Sequence, residues 1–330
     1  MKKKILILLI LILVFTVSSC GVNTEALDSA DSELVTVVIE PGSTAVSIGE
    51  QLQNEGIISD AKAFKKYAKT EGYDVKFQAG TYQLSPSYDL SQICDILVGG
   101  KIAVTKFTIP EGLTLKETAM KLEAQGLGSY DNYLEVFDHL SDWKIDYEFL
   151  NEPEIQSLEG FLHPNTYEVP IGYTEKQVVD FLLQQYEKYV HCSYNQLIVA
   201  SIIEREAKHD DERGLVASVI YNRLGKGMNL EMCSTVQYIL LETTGEVHDP
   251  LLYKDLEIES PYNTYKNSGL PIGPICSPGI ASIKAAIDPE NTDYLYFVVS
   301  DELDGSMKFS SNYNDFLNNK KDYDVAKTNQ

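Results

Sequence analysis

The sequence predicts an α+β fold: strand–turn–helix units at the N-terminal end, then an α+β region whose helices are separated by long loops. Three observations predict it. Val35-Thr36-Val37-Val38-Ile39 reads as a strand, Pro41-Gly42-Ser43-Thr44 as a turn, and a helix carrying Val46, Ile48, Leu52 and Ile57 follows. A related phrase returns 70 residues later, where Phe107-Thr108-Ile109 precedes Pro110-Glu111-Gly112, Thr114 and a helix with Leu115, Ala119, Met120 and Leu122. Aligning Gly42 with Gly112 also aligns Thr44 with Thr114 and Leu52 with Leu122, and Thr suits the N-cap of each helix. Finally, Ser260–Gly279 strings Pro, Gly, Tyr and Asn together over 20 residues with no periodic run. A loop of that length is usually functional or disordered, and its tyrosines argue for order.

The remaining elements follow in order. Ala61–Thr70 and Ser91–Val98 read as helices between the two related phrases, and Tyr130–Leu150, which holds the sole tryptophan, Trp143, as a helical connector. Glu159–Tyr167 reads as a loop, because Pro164 disfavours a regular element. Glu175–Tyr189 places Val178, Phe181, Leu182 and Tyr186 at helical spacing. Helices are expected over Gln196–Ala207, Glu212–Leu224, Thr235–Thr243 and Ile280–Ile287, and a strand over Tyr294–Ser300. The domain division is 1–19 leader, 20–34 tether, 35–125 repeated units, 126–156 connector and 157–330 a second domain.

The N-terminus points outside the cytoplasm. Lys2, Lys3 and Lys4 precede the apolar run Ile5–Val17, then Ser18-Ser19-Cys20-Gly21, the pattern of a secretory signal. A run of 13 residues is short of the roughly 20 that cross a bilayer. Val17-Ser18-Ser19-Cys20 resembles a bacterial lipobox, which implies lipidation of Cys20 and attachment to the outer face of the cell membrane. Gly21–Leu34 is polar and acidic and reads as a flexible tether.

Composition excludes some partners. With 27 Lys+Arg against 49 Asp+Glu and a net charge of −22, the chain lacks the clustered basic surface that nucleic acid requires. The same charge disfavours adsorption to anionic lipid, so a covalent anchor is the consistent route to a membrane. Cys94, Cys192, Cys233 and Cys276 are widely spaced, and either disulfides or free thiols fit them. No HExxH occurs and the five histidines are scattered, so no metal site is expected. GxSxG and P-loop motifs are absent too.

The strongest chemical signal is Ala200-Ser201-Ile202-Ile203-Glu204-Arg205-Glu206-Ala207, two carboxylates on an apolar helical run. Residues two apart on a helix point about 200° away from each other, so the two cannot share one role. Glu206 lies over Val199, Ile202 and Ile203, and Glu204 over Leu197, Ala200 and Ser201. A carboxyl on the more apolar, β-branched face loses hydration and its pKa rises, as a general acid near neutral pH requires. Glu206 is therefore the catalytic candidate, and Glu204 is assigned to a supporting salt bridge or to solvent.

Two resemblances add to this. The strand–turn–helix units look like LysM modules, which implies glycan binding. ASIIEREA, then ER-G-LVASVIYNRL-x-x-GM-x-L, then SPYNTY-x-x-x-GLP-x-GPI-x-SPG and Asp293-Tyr294-Leu295-Tyr296-Phe297-Val298, resemble the endolytic murein transglycosylases, the YceG-like family. The earlier EGFLHPNTYEVP, with Tyr167, resembles that family's EG-(F/W)-x-x-P-x-T-Y segment, and the blocks span about residues 159–309 in the family's order. The resemblance implies non-hydrolytic cleavage of the MurNAc–GlcNAc β-1,4 bond of nascent peptidoglycan strands to 1,6-anhydro ends. One glutamic acid, matching Glu206, acts as acid and then base, and no cofactor is involved. The sugar cleft would be lined by Tyr262, Asn263, Thr264 and Tyr265, supported by Asn222, Arg223, Tyr167 and Thr235. Peptidoglycan synthases are the implied protein partners.

The chain departs from the family pattern at two cleft positions. Cys233-Ser234 stands where Asp-Pro usually precedes Thr-Val, and Met307 stands where a His commonly precedes Phe309 by two residues. A lipobox instead of a spanning helix is a third difference. Rival readings are a non-catalytic peptidoglycan-binding lipoprotein of the same fold, a solute-capturing lipoprotein of a transporter, and a hydrolytic glycosidase. The last needs a second acid such as Glu212 or Glu231.

Overall fold

The structure, a computed structural model, describes residues 23–100 and 102–328. The signal-like segment and Cys20 lie outside the described residues. The chain forms two compact units, one running to Val104 and taking in Pro170–Gly172, the other holding Thr105–Val169 and the chain from Tyr173.

In the first unit, β1 (Val35–Ile39) is followed by α1 (Ala45–Asn54) and α2 (Ala61–Glu71), then β2 (Gly80–Leu84) and α3 (Leu90–Gly99). β1 and β2 pair antiparallel with Val37 opposite Tyr82. Val37 and Ile39 point inward while Val38 is exposed, the period-two alternation of a strand with one buried face. They meet Ile48, Leu52, Phe64, Ile93 and Leu97, all fully buried, each stabilising the unit by about 1.5–3 kcal/mol through burial.

The second unit begins with β3 (Val104–Ile109) and α4 (Leu115–Ala124), then α5 (Tyr130–Asp138) and α6 (Leu140–Asp146). β4 (Asn165–Pro170) pairs with β3 and leads into α7 (Glu175–Tyr189). Helices α8 (Tyr194–Glu206), α9 (Arg213–Gly225), α10 (Cys233–Thr244) and α11 (Ile280–Ile287) follow, then the hairpin β5 (Tyr296–Val299) with β6 (Met307–Ser310), and α12 (Tyr313–Thr328). α8 is the centre: Leu197 through Ile203 are buried without a break. A helix apolar on all sides must be surrounded by protein, and α9, α10 and α11 pack around it.

The strand–turn–helix phrase occurs three times. Gly42, Gly112 and Gly172 all adopt positive φ, at 83°, 79° and 87°. Two residues after each, Thr44, Thr114 and Thr174 cap α1, α4 and α7, each in a capping box closed by Ser47, Glu117 or Gln177. Glycine enters the left-handed region at no steric cost, and the Thr hydroxyl then takes a free N–H of the first turn.

The expected extent of the N-terminal region, 35–125, is not the structural division. Phe107, Ile109, Ala119 and Leu122 share one core with Leu158, Phe161 and Leu197, so the second strand–turn–helix phrase belongs to the larger unit. The 126–156 stretch is core as well as connection, since Tyr133 and Trp143 are buried in that same cluster. The loop read across Glu159–Tyr167 stops at Pro164. β4 begins at the next residue, which leaves the proline outside the ladder where its missing N–H costs nothing. β6 and α12 were not anticipated; α12 has no buried residue and so carries no apolar stripe to read. No helix among the described residues is long and apolar enough to cross a membrane. Cys94, Cys192, Cys233 and Cys276 are free thiols.

Candidate active site

Glu204 and Glu206 end α8 and are partnered differently. Glu204 Oε2 accepts from Arg213 Nη1 at 3.2 Å, from the Gly279 N–H at 3.0 Å and from Ser282 Oγ at 2.8 Å. Both side chains of the ion pair are less than 10% exposed. Of the two roles expected for Glu204, the salt bridge is the one present. The partners separate the roles further, because Glu204 has a guanidinium in contact and Glu206 has none among the described ion pairs.

Glu206 is half-buried and stands at the C-terminal end of α8, where the helix dipole disfavours a negative charge. Its Oε1 accepts the Ser234 N–H at 3.0 Å. Burial pushes its pKa above the ordinary carboxylate range, and the bonding from Ser234 and the charge of Arg205 oppose the rise without cancelling it. The Ser234 hydroxyl is buried and makes no hydrogen bond of good geometry, yet lies close enough to the carboxyl to pull in the same direction as its N–H.

The carboxyl opens into a cavity of about 530 Å³ lined by Arg223, Glu231, Cys233, Tyr265, Met307 and Lys320. Apolar walls come from Leu230, Leu256, Phe297 and Phe316. Tyr265 donates or accepts a hydrogen bond with Cys233 Sγ at 3.1 Å, and burial raises both of their pKa values. A cleft with one lifted carboxyl, aromatic walls and polar groups can hold sugar rings and deliver a proton to an oxygen between them.

The other residues singled out from the sequence occupy definite places. Asn263 is fully buried; its Nδ2 donates to the carbonyls of Leu256 and Ile258 at 2.9 and 2.8 Å, and its Oδ1 accepts the Tyr265 N–H at 3.0 Å. Thr264 and Thr235 are buried with their hydroxyls 2.9 Å apart, and Thr264 Oγ1 accepts the Met232 N–H at 3.0 Å. Asn263 ties the loop to itself, Thr264 and Thr235 fix it against the start of α10, and none of the three lines the cavity. Tyr262 turns the other way: its ring packs against Tyr238, tilted at 54° with centroids 4.9 Å apart, and its hydroxyl approaches Gly273. A tight turn closed by the Asn263 N–H on Ser260 O at 3.0 Å sends adjacent side chains in different directions. Of the four loop residues expected in the cleft, the structure places Tyr265 there.

Arg223 lines the cavity and also holds its far wall. Its Nε donates to Leu295 O at 2.6 Å and its Nη1 to Leu230 O at 2.9 Å and Glu231 Oε2 at 3.1 Å, while its guanidinium lies over the Tyr296 ring. Asn222 Nδ2 donates to Thr292 O and Tyr294 O, each at 2.9 Å. Both side chains tie α9 to the approach of β5. Tyr167 lies apart from Glu206, on β4, with its hydroxyl on His163 O at 2.7 Å and its ring against Phe107 and Phe181. Glu212 is not in the cavity; its Oε1 accepts the Met307 N–H at 2.7 Å.

Lining residues that the sequence did not reveal are Phe297, Phe316 and Lys320. The last two come from α12, whose polar composition gave no packing signal. Cys233 and Met307, noted as departures from a family pattern, both face Glu206's cavity.

Comparison with known proteins gives consistent results. The YceG-like family model matches residues 37–322. A Bacillus subtilis protein named endolytic murein transglycosylase is 32% identical over 92% of this chain and 88% of its own length. A Streptococcus pneumoniae protein of the same name is 30% identical, and there the match spans 61% of the relative. The crystal structure of a yceG-like protein from Listeria monocytogenes superposes with a TM-score of 0.58 at 33% identity, covering 87% of this chain and 99% of that one. The matched span includes every residue that lines the Glu206 cavity, and on this basis the chain belongs to the YceG-like family.

Proposed function

We propose that this protein is a peptidoglycan-cleaving lytic transglycosylase that cuts within glycan strands at the MurNAc–GlcNAc β-1,4 bond. The observation that carries it is the Glu206 carboxyl, lifted by burial and facing a cavity bordered by Tyr265, in a chain whose relatives bear the name endolytic murein transglycosylase. Protonated Glu206 gives its proton to the leaving GlcNAc oxygen as the bond to MurNAc C1 breaks. The carboxylate then takes the proton of the MurNAc C6 hydroxyl as that oxygen closes on C1. A 1,6-anhydro ring forms and no water is consumed. One carboxyl suffices because the substrate supplies the nucleophile, unlike hydrolases that flank the bond with two.

Glu231 shares the cavity, but Arg223 holds its Oε2, which favours a structural carboxylate over a second acid. In keeping with the lipobox, Cys20 would carry a lipid that keeps the enzyme on the outer face of the membrane beside peptidoglycan synthases. The first unit would hold glycan in the manner of a LysM module.

The test is digestion of purified peptidoglycan with wild-type protein and Glu206→Gln. Anhydro-ended fragments from the wild type alone support the reading. Reducing ends would assign a hydrolase with Glu231 as its second acid, and intact sacculi that retain bound protein would assign a binding lipoprotein.

A further inference from the structure

We propose that Lys320 is a specificity-determining residue that pairs with a carboxylate on the lactyl–peptide arm of MurNAc, so that the cavity favours strands with acidic arms. The inference rests on the Glu206 cavity being the glycan cleft assigned above.

The hairpin holds α12 at the edge of the cavity. Phe316 stacks on Tyr296 of β5 with ring centroids 5.4 Å apart, and Asn319 Nδ2 donates to Ser310 Oγ of β6 at 3.0 Å. Lys320 stands one turn after Phe316, and residues four apart share a helix face. Both side chains line the cavity. Lys320 is exposed, so its ammonium group stays hydrated while its stem rests on the apolar wall.

Lys320 is also the cation of the cavity that the fold leaves uncommitted. Arg223 lines the same space, but its guanidinium is taken by Leu295 O, Leu230 O and Glu231 Oε2. The ion pairs among the described residues do not include Lys320. Nor does its charge set the acid: burial raises the pKa of Glu206, and the groups that oppose the rise are Ser234 and Arg205. Lys320 acts instead on the Cys233 thiol, which burial raises and which Tyr265 and Lys320 pull down. The ammonium therefore serves the Cys233 side of the cavity.

Ring hydroxyls and acetamido groups are neutral and need no full charge for recognition, whereas a carboxylate gains a charge-assisted bond from an ammonium. In a strand of GlcNAc and MurNAc, carboxylates belong to the lactyl ether of MurNAc or to the peptide that extends it. The same arm carries methyl groups, and Met307, Phe297 and Phe316 supply an apolar wall beside Lys320. One arm thus satisfies both features of this side of the cavity. The attraction has to be local, because a net charge of −22 repels an acidic polymer at longer range.

The experiment compares wild type, Lys320→Ala, Lys320→Glu and Lys320→Arg on three preparations of uncrosslinked glycan strands. One keeps stem peptides with free carboxylates, and one has those carboxylates converted to carboxamides. The third is stripped of peptides by an amidase, which exposes the lactyl carboxylate. Lys320→Ala should lower kcat/KM about twofold to fivefold more on acidic strands than on amidated ones, with the difference carried by KM. Taking the difference of the two losses removes the general repulsion between strand and protein. Lys320→Glu should widen the difference to about tenfold or more, because attraction becomes repulsion, and Lys320→Arg should restore the wild-type preference. The larger loss, on peptide-bearing or on stripped strands, tells which carboxylate is read. Equal losses on acidic and amidated strands overturn the proposal. So does a difference that vanishes when each protein is assayed at its own optimum pH, because the charge would then act on Glu206.

Binding of the same strands to Glu206→Gln protein measures the preference without the reaction. Suppose acidic strands bind more tightly there, the preference is lost when Lys320→Glu is added, and wild type yields no anhydro ends. The subsite then stands and the assigned reaction is what fails. Anhydro ends without any preference for acidic strands would overturn the subsite alone.

Discussion

Arg213 Nη1 reaches Glu204 Oε2 at 3.2 Å with both side chains shielded from water, and Ser282 Oγ and the Gly279 N–H complete the acceptor's shell. This pair ties the end of α8 to α9 and to the start of α11. Removing one partner leaves a buried charge uncompensated. Arg213→Ala is expected to lower unfolding free energy by about 3–5 kcal/mol, read from urea denaturation. A loss below about 1 kcal/mol would mean that water replaces the guanidinium.

Glu206→Gln should remove at least about 10²–10⁴-fold of the glycan-cleaving rate, the usual contribution of a positioned acid–base group. The same change should stabilise the fold at neutral pH. The folded pKa of Glu206 is raised by burial, so the native state holds its proton more tightly than the unfolded chain. Stability is therefore full below the ordinary carboxylate pKa and is lost as pH rises through the raised value. Thermal melts at pH 4 and pH 8 test this: wild type and Glu206→Gln should diverge only at the higher pH.

Glu159 offers a second titration, remote from the cavity. It is buried, with Oε1 unpartnered and Oε2 accepting the Leu115 N–H at 3.1 Å. Burial pushes its pKa up to about 8, and the charge of Glu242 adds to the rise while main-chain N–H bonds oppose it. The sign is the same as for Glu206, with stability falling between about pH 4.5 and 8 as the native state resists ionisation. Glu159→Gln should flatten that decline by an amount on the order of a few kcal/mol at its upper end. An unchanged slope of stability against pH would show that Glu159 ionises freely in the fold.

Asn263→Ala should act on both stability and turnover. It strands the carbonyls of Leu256 and Ile258 and frees the Tyr265 N–H, at about 1–3 kcal/mol for each group left buried and unpaired. Tyr265 stands two residues on in the chain and lines the cavity, so kcat/KM should fall even at temperatures where the protein is folded. Loss of stability with unchanged kcat/KM would separate the loop's anchoring from the cleft.

Glu206 was legible because a helix makes face and spacing equivalent: a carboxylate at the end of an apolar run has a predictable environment. The boundaries of α7 and α11 were legible for the same reason, together with the Thr174 cap and the break after Ile287. Tyr262 was not, because side-chain direction in an irregular loop depends on each turn's dihedrals. Phe316 and Lys320 were hidden too, since α12 has no buried residue and the pairing of Tyr296 with Phe316 at 5.4 Å joins distant stretches of chain.

By itself the sequence determined the α+β class, the capped strand–turn–helix phrase and the apolar helical run that ends in Glu204 and Glu206. All follow from local periodicity and turn chemistry, which need no knowledge of what packs where. Only the tertiary structure decided that Glu204 is neutralised by Arg213, that Ser234 meets Glu206, and that Met307 and Lys320 close the same cavity. These contacts join residues between 9 and more than 100 positions apart, and long-range packing, not chain proximity, supplies the partner that sets each group's charge.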